Sequence, residues 1–386
     1  MREKDFTEGR TGRLIPIPEG VMAFVPDPLP PKTLVPTWEL ARLNSEADRA
    51  LSELSGLARL LPNAHLLSGP FRRREAMLSS RIEGTFTTMS ELFLFEVGGA
   101  PDNERSEVRE VWNYVDALDH GLKELTKLPI CNRLIKDVHS KLMTGVRGGD
   151  KTPGEFRSRQ NYIGLNPTTR IQRATYVPPP TSEMLVCMNQ LEAFINGSFD
   201  LPPLIKEALV HYQFEAIHPF QDGNGRVGRL LLTLSLCAEK IVEHPLLYVS
   251  EYIEKRKDEY YALLFAVSSE GAWLPWIEFF LRAVAEQAKD AQSRAKKLHD
   301  LMIHLRERLV AVKAPATTFR VLDELFFIPV ISTVRATQLV GGQGKTGRRA
   351  IERLYEAGIL KEFKAGRERK RNKFHIAEEI NHLVSD

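Results

Sequence analysis

The chain has 386 residues, 43% hydrophobic and 27% charged, with a formal net charge of +3. Those fractions match folded domains and exclude a largely disordered chain, and the length accommodates two or three domains with sizeable cores. No apolar run approaches the ~20 residues of a membrane span, and Met1-Arg2-Glu3-Lys4-Asp5 lacks the basic-then-apolar pattern of a secretory leader, so a cytoplasmic protein without a membrane partner is expected.

Prolines clustered over residues 15–36 favour extended or turn backbone that wraps over other elements. From Trp38 to Leu61, apolar residues recur at three and four, marking an amphipathic helix. Helical patterns follow over 71–83, 104–126, 131–144, 182–196, 203–217 and 224–240. They are interrupted over 154–178, where Gly, Asn and Pro separate short β-favouring runs as in a hairpin. Periodicity resumes over Tyr252–Val267 and Leu274–Leu309 and breaks at the linker 312–317. Three short helices over Phe319–Phe326, Val334–Leu339 and Lys345–Ala357 and two short strands, Ile359–Phe363 and Lys373–Ile376, then suggest a winged helix-turn-helix. The expected fold is mainly α, divided at 1–103, 104–311 and 318–386.

The three cysteines, Cys131, Cys187 and Cys237, are scattered in or beside apolar segments and suggest neither a disulfide framework nor a thiolate zinc site. Between Lys345 and Lys373 eleven Lys/Arg face four Asp/Glu, so the C-terminal end alone carries a basic bias.

The chemistry concentrates in His218-Pro219-Phe220-Gln221-Asp222-Gly223-Asn224-Gly225-Arg226-Val227-Gly228-Arg229, between two helical patterns. Gly223 to Gly225 fall at a helix N-terminus, where unpaired N–H groups and the helix dipole favour an anion such as a polyphosphate. The glycines allow close backbone approach. Arg226 and Arg229 share a helix face and could grip successive phosphates. Asp222 offers a hard oxygen of the kind Mg²⁺ takes beside phosphate oxygens. His218, with a side chain that titrates near neutrality, suits removal of a proton from an attacking hydroxyl.

These twelve residues resemble the Fic family, whose core motif reads H-P-F-x-[D/E]-G-N-G-R-x-x-R; every specified position is filled here. The resemblance covers roughly residues 30–290 and implies a Fic-type helical bundle with a β-hairpin flap. It implies a protein adenylyltransferase that moves AMP from ATP to a Tyr, Thr or Ser hydroxyl of a target protein, or of itself, with release of pyrophosphate. His218 would be the base, Asp222 would hold Mg²⁺ or Mn²⁺, and Asn224 with the neighbouring backbone, Gly223 and Gly225 included, would bind the α-phosphate. Arg226 and Arg229 would bind the β- and γ-phosphates. Gly225 favours AMP transfer over phosphorylation, since related Doc-type kinases carry a lysine near this place.

Upstream, Ser79-Ser80-Arg81-Ile82-Glu83-Gly84 fits the family's inhibitory pattern [S/T]-x-x-x-E-[G/N], implying that Glu83 pairs with Arg229 and keeps the γ-phosphate from a productive pose. The regulatory Glu also implies removal of AMP. Segment 154–178, with Tyr162, Ile163 and Gly164 at its edge, resembles the flap that registers a target strand beside the base. Tyr260 falls where relatives place residues around the nucleotide base and could stack on adenine or serve in the core. A homodimer is expected by analogy with the family.

Other signals are discounted. Gly342 to Gly347 imitates a phosphate loop but lacks the preceding strand and reads as a turn before a recognition-type helix. His139 reads as a buried structural histidine, and His211 with His218 lacks a third zinc ligand. Arg348, Arg349 and Arg353 on the third C-terminal helix, with Lys370, Arg371 and Lys373 in the wing, could meet DNA phosphates or form a solvated face. The rival to an enzyme is therefore a DNA-associated regulator in which the core senses nucleotide.

Overall fold

The computed structural model describes residues 3–60, 64–98, 105–164, 169–242, 244–342, 344–363 and 373–385. Flap residues 165–168, the expected boundary at 103–104, and Lys370 and Arg371 of the wing lie outside the described residues. The chain divides into two compact units: residues 1–51, 113–243 and 249–287, and residues 52–112, 244–248 and 288–386.

The first unit is centred on helix Pro203–Ile217, buried on nearly every face through Leu204, Ala208, Leu209, Val210, Phe214 and Ile217. A helix apolar all round must be enclosed by neighbours. Helices Thr181–Asn196, Asn224–Ala238 and Lys257–Glu270 supply them. Trp276, on the long helix Trp273–Ala311, seals another side and donates its indole N–H to the Ala208 carbonyl at 2.9 Å. The expected single helix Tyr252–Val267 is two, Ser250–Lys255 and Lys257–Glu270, broken at Arg256, whose φ is −130°.

The proline-rich start is extended, as its composition requires. It also forms a pairing the sequence did not announce: strands Gly12–Pro16 and Met22–Pro26 run antiparallel with Gly12 opposite Pro26. Phe24 N–H then donates to Val177 O at 2.9 Å, bringing this hairpin against the return limb of the flap. Among the described residues, the expected flap hairpin shows one bridge, between Ile163 and Tyr176, and a short 3₁₀ turn, Ile171–Arg173. Side chains of Arg157, Gln160 and Asn161 hold the outgoing limb.

In the second unit, helix Ala64–Ile82 packs against helices Ala316–Phe327, Met89–Glu96 and Glu378–Ser385. Arg73 forms a buried two-pronged ion pair with Glu96, at 2.8 and 2.6 Å, and its guanidinium lies 4.7 Å from the Phe327 ring centroid. The C-terminal residues run helix Ala316–Phe327, strand Val330–Ser332, helix Thr333–Leu339, helix Gly344–Glu356, and strands Lys361–Phe363 and Phe374–Ile376. In their antiparallel sheet the Phe374–Ile376 strand is central.

Candidate active site

Helix Pro203–Ile217 ends at His218, which adopts left-handed backbone with φ 50° and ψ 59°. A non-glycine residue held there costs roughly 1–3 kcal/mol, so the surroundings must enforce it. Five residues on, Gly223, with φ 80°, begins helix Asn224–Ala238. That conformation suits glycine, and it turns the chain so that the N-terminal N–H groups of the next helix face the bend. The C-terminus of one helix therefore presents an imidazole where the N-terminus of the next presents an anion-binding end.

The bend is braced internally. Asn224 accepts the Phe220 N–H at 2.8 Å through Oδ1 and donates to the Phe220 carbonyl at 2.8 Å through Nδ2. Its side chain is thereby committed to the turn, which leaves backbone N–H groups as the donors an anion would meet at this position. Asp222 Oδ1 accepts the Gly223 N–H at 2.7 Å, which fixes the direction of a half-buried carboxylate. Arg226 and Arg229, expected to grip phosphates, are 3% and 1% exposed. Arg226 reaches Met143 Sδ at 3.5 Å. Gly228 is required by contact: a Cβ there would lie 2.2 Å from Glu215 Oε1, so the glycine admits a carboxylate one turn before His218 against the second helix.

His139 is more than a space-filling core residue. Gly154 N–H donates to its Nδ1 at 2.9 Å, so the ring proton sits on Nε2, which lies 3.0 Å from the Asp222 carbonyl as donor. The ring stacks on Phe220 at 3.7 Å. Burial, reinforced by the nearby Arg226 charge, pushes the His139 pKa down to about 4, so the bridging neutral form persists at neutral pH. His211, equally enclosed, is pushed down to about 3 by burial and then by the Arg229 charge.

The flap joins the same bend. Arg157 Nε donates to the His218 carbonyl at 3.0 Å, its Nη2 to the Pro179 carbonyl, and its backbone N–H to Pro219 O at 2.9 Å. Asn161 Nδ2 donates to the carbonyls of His218 at 3.3 Å and Phe220 at 2.8 Å. Immediately beyond Asn161, Tyr162 and Ile163 are 39% and 38% exposed and Gly164 completes the edge. Arg157, Asn161 and the bridging role of His139 were not singled out in the sequence, because their partners lie 57 to 83 positions away. The Gly154-Glu155-Phe156-Arg157 run is the one local signal of their importance.

One expectation is corrected. Tyr260, placed at the nucleotide base, is 1% exposed; its hydroxyl lies 2.9 Å from His211 Nε2 and its ring packs among Tyr261, Trp276 and Phe279. A ring so enclosed offers no face to adenine and belongs to the core.

Ser79, Glu83 and Gly84 lie in the second unit. Helix Ala64–Ile82 stops just before Glu83, whose N–H donates to the Ser80 carbonyl at 3.1 Å, and Gly84 turns the chain with φ 85°. Ser79 is buried. Also in this unit, Arg348, Arg349 and Arg353 are exposed on helix Gly344–Glu356, with Arg353 paired to Glu356 at 2.5 Å.

Among the described residues no group of three or more His, Cys, Asp or Glu side chains gathers around a metal position. An Mg²⁺ that shares nucleotide phosphates asks for only one or two carboxylates, and Asp222, beside the anion-binding helix end, is a donor of that kind.

Comparison with known proteins bears on the same residues. Residues 41–123 match the Fic/DOC family N-terminal domain and residues 129–236 the Fic/DOC family domain. The chain is similar to the protein adenylyltransferase Fic of Drosophila melanogaster, 27% identical over 247 residues, 60% of this chain and 46% of that protein. It is similar also to the protein of that name from Aedes aegypti, 32% identical over 128 residues, 33% of this chain and 22% of the other. The chain thus spans less than half the length of these curated relatives. A crystal structure of a Fic family protein from Desulfovibrio desulfuricans G20 superimposes with a TM-score of 0.56 at 21% identity, covering 89% of this chain and 97% of that one, a likeness of fold.

Proposed function

The chain belongs to the Fic/DOC family, and we propose that it is a protein adenylyltransferase that moves AMP from ATP to a Ser, Thr or Tyr hydroxyl. The observation that carries this is the bend itself: a left-handed His218 five residues before Gly223, which opens the N-terminus of the next helix. The α-phosphate lies on the N–H groups at residues 224 and 225, beyond the Gly223 N–H that Asp222 holds, and Arg226 and Arg229 take the β- and γ-phosphates, which requires their buried guanidinium groups to turn toward the bend. His218 takes the hydroxyl proton as the oxygen bonds to the α-phosphorus, the α–β bridging bond breaks, and pyrophosphate leaves. Asp222 holds Mg²⁺ or Mn²⁺, which when bound neutralises phosphate charge. Edge residues Tyr162, Ile163 and Gly164 add a target strand through main-chain bonds.

Glu83, at the turn that closes helix Ala64–Ile82, restrains the reaction; by the same reading it aligns water for removal of AMP. The protein incubated with Mg²⁺ and ATP labelled on the α-phosphate is expected to label itself or a target, Glu83→Gly to raise the signal and His218→Ala to abolish it. Absence of AMP on every protein of candidate lysates with Glu83→Gly, read by mass spectrometry, would contradict the proposal.

The exposed arginines of helix Gly344–Glu356 favour a second role for the C-terminal residues, as a winged helix that contacts DNA. Neutralising Arg348, Arg349 and Arg353 together should weaken salt-sensitive DNA binding and flatten its salt dependence. Unchanged binding would remove this role and leave the enzyme.

A further inference from the structure

The carbonyls of His218, Pro219 and Phe220 are three in a row, and all three are held from one place. Arg157 N–H takes Pro219 O at 2.9 Å, Arg157 Nε takes His218 O at 3.0 Å, and Asn161 Nδ2 spans His218 O at 3.3 Å and Phe220 O at 2.8 Å. Both side chains are buried, and Arg157 is anchored behind by the Pro179 carbonyl, on the flap's return limb. The peptide units between His218 and the bend are therefore fixed by the flap as well as by their own helix.

Why such a hold is needed follows from the backbone of His218. Its left-handed φ and ψ set the direction of the Cα–Cβ bond, and hence where the imidazole can point. The conformation is disfavoured for a residue with a Cβ and persists only where its surroundings over-determine it. Two donors converging on the carbonyl of that same residue do so. Release of either lets the peptide unit relax and swings the ring, while the N–H groups of helix Asn224–Ala238 stay braced by the Asn224–Phe220 ring of hydrogen bonds.

We propose that Arg157 and Asn161 are positioning residues for the base, holding His218 in its left-handed conformation and tying the aim of its imidazole to the flap. This rests on the reading of His218 as the base for AMP transfer. It adds a consequence for the acceptor. Asn161 is followed directly by Tyr162 and Ile163, and Ile163 is bonded to Tyr176. A target strand laid on that edge is one residue removed from the group that fixes the base, so acceptor hydroxyl and imidazole are registered through one rigid connection.

The test compares Arg157→Lys and Asn161→Asp in the full chain, in whichever of the wild type or Glu83→Gly transfers AMP faster. Arg157→Lys keeps the charge but cannot reach the His218 and Pro179 carbonyls together, and Asn161→Asp keeps the shape while turning a donor into an acceptor. The rate of AMP transfer at saturating ATP should fall at least about tenfold, toward the ~10²-fold that an ångström of misplacement costs, with calorimetric affinity for Mg²⁺-ATP kept within about threefold. Rates within about threefold of the parent in both variants overturn the proposal. So does a parallel loss of rate and ATP affinity in both, because the residues would then support the whole bend rather than the base. A parent that binds ATP but transfers no AMP refutes the proposed function and takes this inference with it.

Discussion

Burial sets protonation states within the first unit, and the signs oppose one another. His139 and His211, held down to about 4 and about 3, stay neutral in the folded chain, while in the unfolded chain each takes a proton near pH 6.5. Their contribution is complete above 6.5 and lost as pH falls toward the folded values, about 2 kcal/mol each by pH 5. Glu207, buried beside Ser235 Oγ at 2.7 Å, is pushed up to about 7 by burial, so over 7 to 4.5 it gains stability as pH falls. Glu207→Gln should therefore be about 3 kcal/mol more stable than wild type at pH 8 and lose that lead by pH 5. Denaturant titrations at both values check it, and a constant difference would refute the assignment. At this scale the sequence was legible where the candidate residues are contiguous: His218, Asp222 and Gly223 form one bend, and Arg226 and Arg229 follow in the helix it opens. It was not legible where burial decides, since spacing alone could not separate a stacking Tyr260 from a core one. Nor could it reveal that His139 ties Gly154 to Asp222 across the fold.

Two helical glycines of the second unit, one exposed and one buried, separate propensity from packing. Gly56, in helix Trp38–Leu60, has open space where a Cβ would go, whereas at Gly69, in helix Ala64–Ile82, a Cβ would lie 2.4 Å from Phe327 Cδ2. Alanine is a better helix former than glycine by roughly 1 kcal/mol, and overpacking costs about 1–3 kcal/mol. Gly56→Ala should accordingly raise the unfolding midpoint and Gly69→Ala lower it; changes of the same sign would contradict the packing of Phe327 on this helix. Long periodic helices such as Pro203–Ile217 and Trp273–Ala311 were legible within a residue or two. Helix Met89–Glu96 was passed over although Thr88 and Glu91 form a capping box, with Glu91 N–H donating to Thr88 Oγ1 at 3.2 Å. Eight residues with an apolar run show too little period to be read. The β-favouring runs of the flap predict a hairpin, but the side chains of Arg157, Gln160 and Asn161 each bond to two or more scattered carbonyls instead of building a ladder.

For the whole molecule, the two units interleave along the sequence, each assembled from three separate stretches. A reading that moves along the chain sees patterns in order and divides them end to end, whereas contacts join residues 52–112 with 288–386 and residues 1–51 with 113–243. The proposed chemistry escaped that difficulty because the residues assigned to it as base, metal donor and anion cradle fall within twelve successive positions of the first unit. The most direct measurement is a structure of the full chain with ATP and Mg²⁺. The triphosphate is expected along the N–H groups from Asn224 to Arg226, with the α-phosphate nearest His218 and the metal on Asp222. A nucleotide bound elsewhere, with this bend empty, would contradict the account.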